Sequence, residues 1–153
     1  MGWLILEQLR PILALDVGNV NIGIAISDKE RIFAMPLAVI KRDGNEIEAI
    51  KKIITEREVE EIVVGLPKTL SGTIGPQANI VLDFLDELKK VLPEVKFVTW
   101  DERYTSVITH KMLRFQGIRS KKERKIKDKF EALFILESYL EFLRRQKREE
   151  ENG

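Results

Sequence analysis

Three groups of acids stand where a chain could use them for chemistry. Asp16 closes the apolar run 12–15, Asp101 and Glu102 follow the run 95–100, and Asp128 opens the last helical pattern. The chain has no cysteine, and His110 is its single histidine, which excludes thiolate and disulfide chemistry and nearly excludes a Ser-His pair or a multi-histidine zinc site. A metal bound here must be held by oxygen. Separate carboxylates of this kind suit a hard divalent cation, Mg²⁺ or Mn²⁺, as one ion or two. Such ions can clamp a phosphodiester, activating water on one side and stabilising the leaving oxygen on the other. Each acid also has a plainer reading. Asp16 could be a turn residue, Asp101 and Glu102 a polar turn paired to Arg103, and Asp128 a carboxylate favoured by the dipole at a helix start.

The elements that would position these acids follow from hydrophobic period and turn chemistry. ILALDVGNVNIGIAISD, residues 12–28, reads as a β-hairpin whose Gly18, Asn19, Asn21 and Gly23 leave little side chain beside Asp16. Gly23 could equally be a packing glycine. Residues 31–40 form a third strand, and Pro36 marks it as an edge or a bulge. Asn45 with Glu48 resembles a capping box before Ile47, Ile50, Ile53 and Ile54, which recur at helical spacing over 45–57. Residues 61–65 are a buried strand reached by that crossover. A loop, 66–76, leads to a helix opened by Pro76 and closed by Pro93, and 95–100 is a fifth strand.

Tyr104, Ile108, Met112 and Phe115 mark a short helix beyond the fifth strand. A basic loop and a last helix over 128–145 complete the chain. On that helix Asp128, Glu131, Ala132, Ile135 and Tyr139 share one side, so Asp128 continues a stripe facing the sheet. The expected fold is α/β and ribonuclease H-like: a mixed five-stranded sheet, three strands antiparallel and two parallel, with helices on both faces. In such sheets ligands bind beyond the carboxyl ends of the strands, where Asp16 and Asp101/Glu102 stand.

At 153 residues, 44% hydrophobic and 33% charged, the chain reads as a single globular domain over 1–153. Residues 1–10 are a short N-terminal extension and 146–153 a charged tail. The apolar N-terminal run is too short for a signal peptide or membrane span, so the expectation is a cytoplasmic protein without a membrane partner. Net charge is +1, but unevenly spread: residues 1–102 carry 12 basic and 17 acidic side chains, residues 103–153 carry 14 and 8. RSKKERKIKDK, 119–129, is the basic concentration. It is either a solvated loop or, in Lys121, Lys122, Arg124 and Lys125, a grip on a nucleic-acid backbone.

Four stretches together resemble the YqgF family of RuvC-related proteins, described as Holliday junction resolvases or pre-16S rRNA nucleases: LDVGNVNIGIAISD, IVVGLPKTLSGTIGPQA, VTWDERYTS and DKFEALFILESYL. The resemblance spans about residues 13–140. It implies a ribonuclease H-like fold and metal-dependent cleavage of structured nucleic acid, precursor rRNA or branched DNA, with a second copy of the chain as a candidate partner. The family's acidic site falls on Asp16, Glu102 and Asp128, and Arg103 joins the basic residues in contacting nucleic acid. Val20 and Asn21 stand where the family usually has a basic residue. Glu131, one turn beyond Asp128, is either a fourth ligand, as in the acid pair of resolvase relatives, or a helix-surface charge. Two other functions compete. An actin-like phosphotransferase shares the first phosphate loop but needs two such domains, and a non-catalytic binding or ribosome-assembly module would keep the fold and the basic stretch yet be indifferent to losing Asp16.

Overall fold

The computed structural model describes residues 9–67, 71–102 and 121–152, with the side chains of the last segment described from residue 127 onward. In chain order the elements are β1 (Ile12–Val17), β2 (Asn21–Ser27), β3 (Ala34–Lys41), α1 (Glu46–Arg57), β4 (Glu61–Leu66), α2 (Pro76–Val91), β5 (Lys96–Asp101) and α3 (Lys121–Asn152). The strands form one five-stranded sheet in the order β3-β2-β1-β4-β5. β1, β2 and β3 pair antiparallel, and β4 lies parallel to both β1 and β5. This is the mixed sheet expected from the sequence. Pro36 lies on the edge strand beside a bulge: Ala38 faces Ile24 and Pro36 faces Ala25, so Leu37 is the extra residue.

Strand alternation sorts the core into two layers. Leu13, Leu15 and Val17 of β1 join Ile22, Ile24 and Ile26 of β2 beneath Ile50 and Ile54 of α1 and Val81, Phe84 and Leu88 of α2. The intervening Ile12 and Ala14 pack with Ala25, Val63 and Trp100 beneath Ala132, Ile135, Leu136 and Tyr139 of α3. Asp16 is next in that second series, so its alternation directs it to the α3 side of the sheet. All six residues of β4 are buried, as suits a strand covered on both faces.

Two helix starts differ from expectation. Asn45 caps no backbone N–H of α1 with its side chain. Instead the Gly44 N–H donates to Glu46 Oε1 at 2.8 Å and the Asn45 N–H donates to Asp43 Oδ1 at 3.0 Å. The second difference is larger. α3 begins at Lys121 rather than near Asp128, so the expected basic loop is helical from Lys121 onward and Lys121, Lys122, Arg124 and Lys125 ride on a helix. It also runs to Asn152, past the expected end at 145 and through most of the charged tail. Lys, Arg and Glu are strong helix formers, and i,i+4 ion pairs such as Glu141 with Arg145 reinforce a charged helix without an apolar period. The expected helix marked by Tyr104, Ile108, Met112 and Phe115 lies outside the described residues, as do Arg103 and His110.

At the end of the sheet away from Asp16, α3 is tied down by a polar contact. The Tyr139 hydroxyl donates to Glu61 Oε2 at 2.5 Å, and Lys96 Nζ lies 3.6 Å from Glu61 Oε1. Trp100 Nε1 donates to Ser138 Oγ at 3.1 Å, and the Trp100 ring meets Tyr139 edge-on. These contacts fix the rotation of α3 about its axis, and hence which residues it turns toward the sheet two turns earlier. Among the described residues no helix is long and apolar enough to cross a membrane.

Candidate metal centre

Asp16 is the penultimate residue of β1, paired in register with Gly23 of β2. The sequence suggested that the strand ends at this acid, but the ladder continues through Val17 opposite Ile22. Gly23 is where α3 crosses the sheet. A Cβ built there would run into the backbone carbonyl of Asp128, so only the missing side chain lets the helix come down to the hairpin. Gly65 of β4 makes the matching space on the other side of β1. A Cβ there would stand 2.5 Å from Ile135 Cδ1 and 2.7 Å from Glu102 Oε1. Two glycines on the α3 side of the sheet thus admit the helix and the Glu102 side chain to one end of it.

α3 presents Asp128 and Glu131 on the side that buries Ala132 and Ile135. Carboxylate oxygens of Asp16, Asp128 and Glu131 all lie within 4.8 Å of one another. All three side chains are half-buried. Asn21, the first residue of β2, donates from Nδ2 to Asp128 Oδ2 at 3.3 Å, which orients that carboxylate. Lys127 Nζ lies 3.4 Å from Glu131 Oε1. Glu102 stands beside the cluster rather than within its closest set, and Asp101 is buried as the last residue of β5.

Crowding of like charges shows in the acidities. Burial, then the charge of Glu131 and a hydrogen bond to it, then the charges of Glu102 and Asp128, push the Asp16 carboxyl well above the ordinary carboxylate range. Burial, Glu131 and Asp101 push Glu102 up to about 7. Acids arranged in this way cannot all ionise cheaply without added positive charge. The donor set is entirely oxygen, comes from β1 and α3 and suits a hard divalent ion.

The acidities carry a prediction for the metal-free protein. A carboxyl whose folded pKa exceeds its unfolded value holds its proton more tightly when folded. Its contribution to stability is therefore full below the ordinary value of 4.5 and is lost as pH rises through about 7. Glu102→Gln removes this dependence. In EDTA its unfolding free energy, from urea titrations, should fall less than that of the wild type between pH 4.5 and pH 8, by on the order of 2–3 kcal/mol. Parallel pH profiles for the two proteins would contradict it.

Of the sequence-derived acids, Asp16 and Asp128 meet, and Glu102 reaches Asp16 electrostatically. Asp128 lies two turns inside α3, so it is not a carboxylate at the helix start. Glu131 belongs to the cluster and is not only a helix-surface charge. Sequence reasoning passed over Gly65 and the amide of Asn21. A glycine inside an otherwise continuous apolar strand was an available signal for Gly65, while nothing in the sequence tied Asn21 to Asp128.

Comparison with known proteins places the chain among relatives. A model of the RuvX family, described as Holliday junction resolvase, matches residues 10–142. A protein of Desulforudis audaxviator is 44% identical over 84% of this chain and 92% of its own length, and one of Clostridium tetani is 45% identical over 85% and 95%. Both carry the name "Putative pre-16S rRNA nuclease". In three dimensions the chain is similar to T. thermophilus RuvC in complex with a Holliday junction substrate, with a TM-score of 0.59 at 14% identity over 89% of this chain and 96% of that one. It is also similar to the fowlpox virus Holliday junction resolvase, with a TM-score of 0.52 at 16% identity over 87% and 99%. At such identities these two structures speak for the fold alone.

Proposed function

This chain belongs to the RuvX family, and from that premise we propose that it is a divalent-metal-dependent nuclease that hydrolyses phosphodiester bonds of structured nucleic acid at Asp16, Glu102, Asp128 and Glu131. The observation that carries this reading is the convergence of Asp16, Asp128 and Glu131, from β1 and α3, within 4.8 Å of one another. Bound by these carboxylates, Mg²⁺ or Mn²⁺ supplies a Lewis acid that lowers the pKa of water and offsets charge on the leaving oxygen. The protein's part is to hold the oxygens in place. Asp16 is fixed by the β1–β2 ladder, Asp128 by the Asn21 amide, and Glu131 by the helix. Glu102 completes the set as its carboxyl, with a pKa near 7, gives up its proton.

In this reading Arg103, Lys121, Lys122, Arg124 and Lys125 contact the phosphate backbone and add salt-sensitive affinity without sequence preference. At 100° per residue, Lys121, Arg124 and Lys125 fall on the same side of the α3 axis as Asp128, whereas Lys122 lies well round from it. The substrate we favour is the precursor of 16S rRNA, after the names of the relatives at 44 and 45% identity. A four-way DNA junction is the second, after the description of the matching family. The wild-type protein should cut a labelled precursor fragment in Mg²⁺ or Mn²⁺ and not in EDTA, and faster than it cuts a junction. The reverse order would exchange the substrates. Binding to either without cutting would replace the nuclease with an assembly factor that keeps the fold.

A further inference from the structure

Resting on the nuclease reading above, we propose that Lys127 is a substrate-contacting residue: a cation that sits on Glu131 while no divalent ion is bound and turns to a substrate phosphate when one is. Lys127 lies 3.4 Å from Glu131, whose carboxylate also belongs to the cluster with Asp16 and Asp128. Glu131 therefore faces a cation on one side and the other acids on the other.

Helix stability gives this pair little reason to exist. It runs Lys before Glu at i,i+4, the weaker order for such a pair, in the interior of a long helix and not at its basic-favouring end. The Lys127 side chain is 41% exposed against 23% for Glu131, so the lysine is the more solvent-facing partner of the pair. A lysine there is a flexible stem carrying a strongly hydrated point charge with three rotatable donors, suited to changing partners. Once a divalent ion shares the charge of Glu131, the attraction that holds the ammonium there weakens, and the ion itself repels it. A phosphodiester bound at the site would bring a negative charge next to Lys127. One side chain thus opposes the metal and favours the substrate, two effects of opposite sign that an ordinary surface ion pair would not produce.

Lys127→Met and Lys127→Arg in the full chain separate the two. Mn²⁺ affinity, measured by calorimetry without nucleic acid, should tighten about 3- to 10-fold in Lys127→Met, as expected for removing one neighbouring positive charge from a half-exposed site. For cleavage of the precursor fragment in saturating Mn²⁺, KM should rise while kcat stays within about 3-fold. The slope of log KM against log salt should shrink by about 0.7–0.9, the share of one phosphate contact. Lys127→Arg should restore the KM and the salt slope. If the wild type binds Mn²⁺ and cuts while Lys127→Met changes neither Mn²⁺ affinity nor salt slope, or only one of them, the role of Lys127 is overturned and the nuclease stands. If the wild type neither binds Mn²⁺ nor cuts, both fall together.

Discussion

Asp16→Asn should abolish cleavage, lowering kcat by about 10³-fold or more, while affinity for the nucleic acid stays within a few-fold of wild type. The reason is where the residue sits. Asp16 is the acid on which the charges of Glu102, Asp128 and Glu131 all bear, so its loss removes the element common to the ligand set. Losing a metal's charge stabilisation of the transition state is worth several kcal/mol, and each 1.36 kcal/mol is tenfold in rate. Affinity survives because phosphate contacts by basic side chains supply most of it. The same substitution should make the metal-free protein more stable at pH 8 in a urea titration, since a neutral amide of the same shape replaces a carboxyl that burial and like charges hold against ionisation. Lost activity with gained stability marks an acid kept for function rather than for folding. Retained metal-dependent cleavage would remove Asp16 from the site.

Gly23→Ala should be more damaging than the same change at Gly18, Gly44 or Gly65. Its Cβ meets the backbone carbonyl of Asp128, and backbone cannot swing aside as a flexible side chain can. Either α3 lifts from β2 or the hairpin bends. Both break the layer of Ala14, Ala25, Ala132, Ile135 and Leu136, and both carry Asp128 away from Asp16. Overpacking of this kind costs about 1–3 kcal/mol, occasionally more, and a misplacement of about 1 Å at a reacting centre costs about 10²-fold in rate. Urea unfolding and single-turnover cleavage should therefore both register the change, with Mn²⁺ affinity falling as well. A variant with wild-type activity and unchanged Mn²⁺ affinity would mean that the close approach of α3 to Gly23 does not set the site.

How much of this was legible beforehand depended on whether the controlling period was local. The apolar runs 12–15 and 22–26 with glycine and asparagine between them define a hairpin by themselves, and strand alternation already assigns Asp16 to the face opposite Leu15. Helical spacing likewise put Asp128 and Glu131 on the side of Ala132 and Ile135, where α3 packs. The start of α3 was missed because residues 121–127 are almost entirely charged. With no apolar stripe to read, seven basic residues in eleven looked like solvated loop, although each is a good helix former and the helix behind them supplies the nucleus. The roles of Gly23, Gly65 and Asn21 depend on what crosses above them from far along the chain. Asn21 meets Asp128 across 107 residues of sequence, a pairing that no local pattern encodes.

Anomalous diffraction from crystals of the wild-type protein soaked in Mn²⁺ would show whether the carboxylates at the end of β1 and on α3 form one metal site. A peak is expected within coordinating distance of Asp16, Asp128 and Glu131, with Glu102 as the nearest further carboxylate, and should be lost in crystals of Asp16→Asn. Ordered carboxylates without a peak at saturating Mn²⁺, or a peak that survives the loss of Asp16, would contradict it.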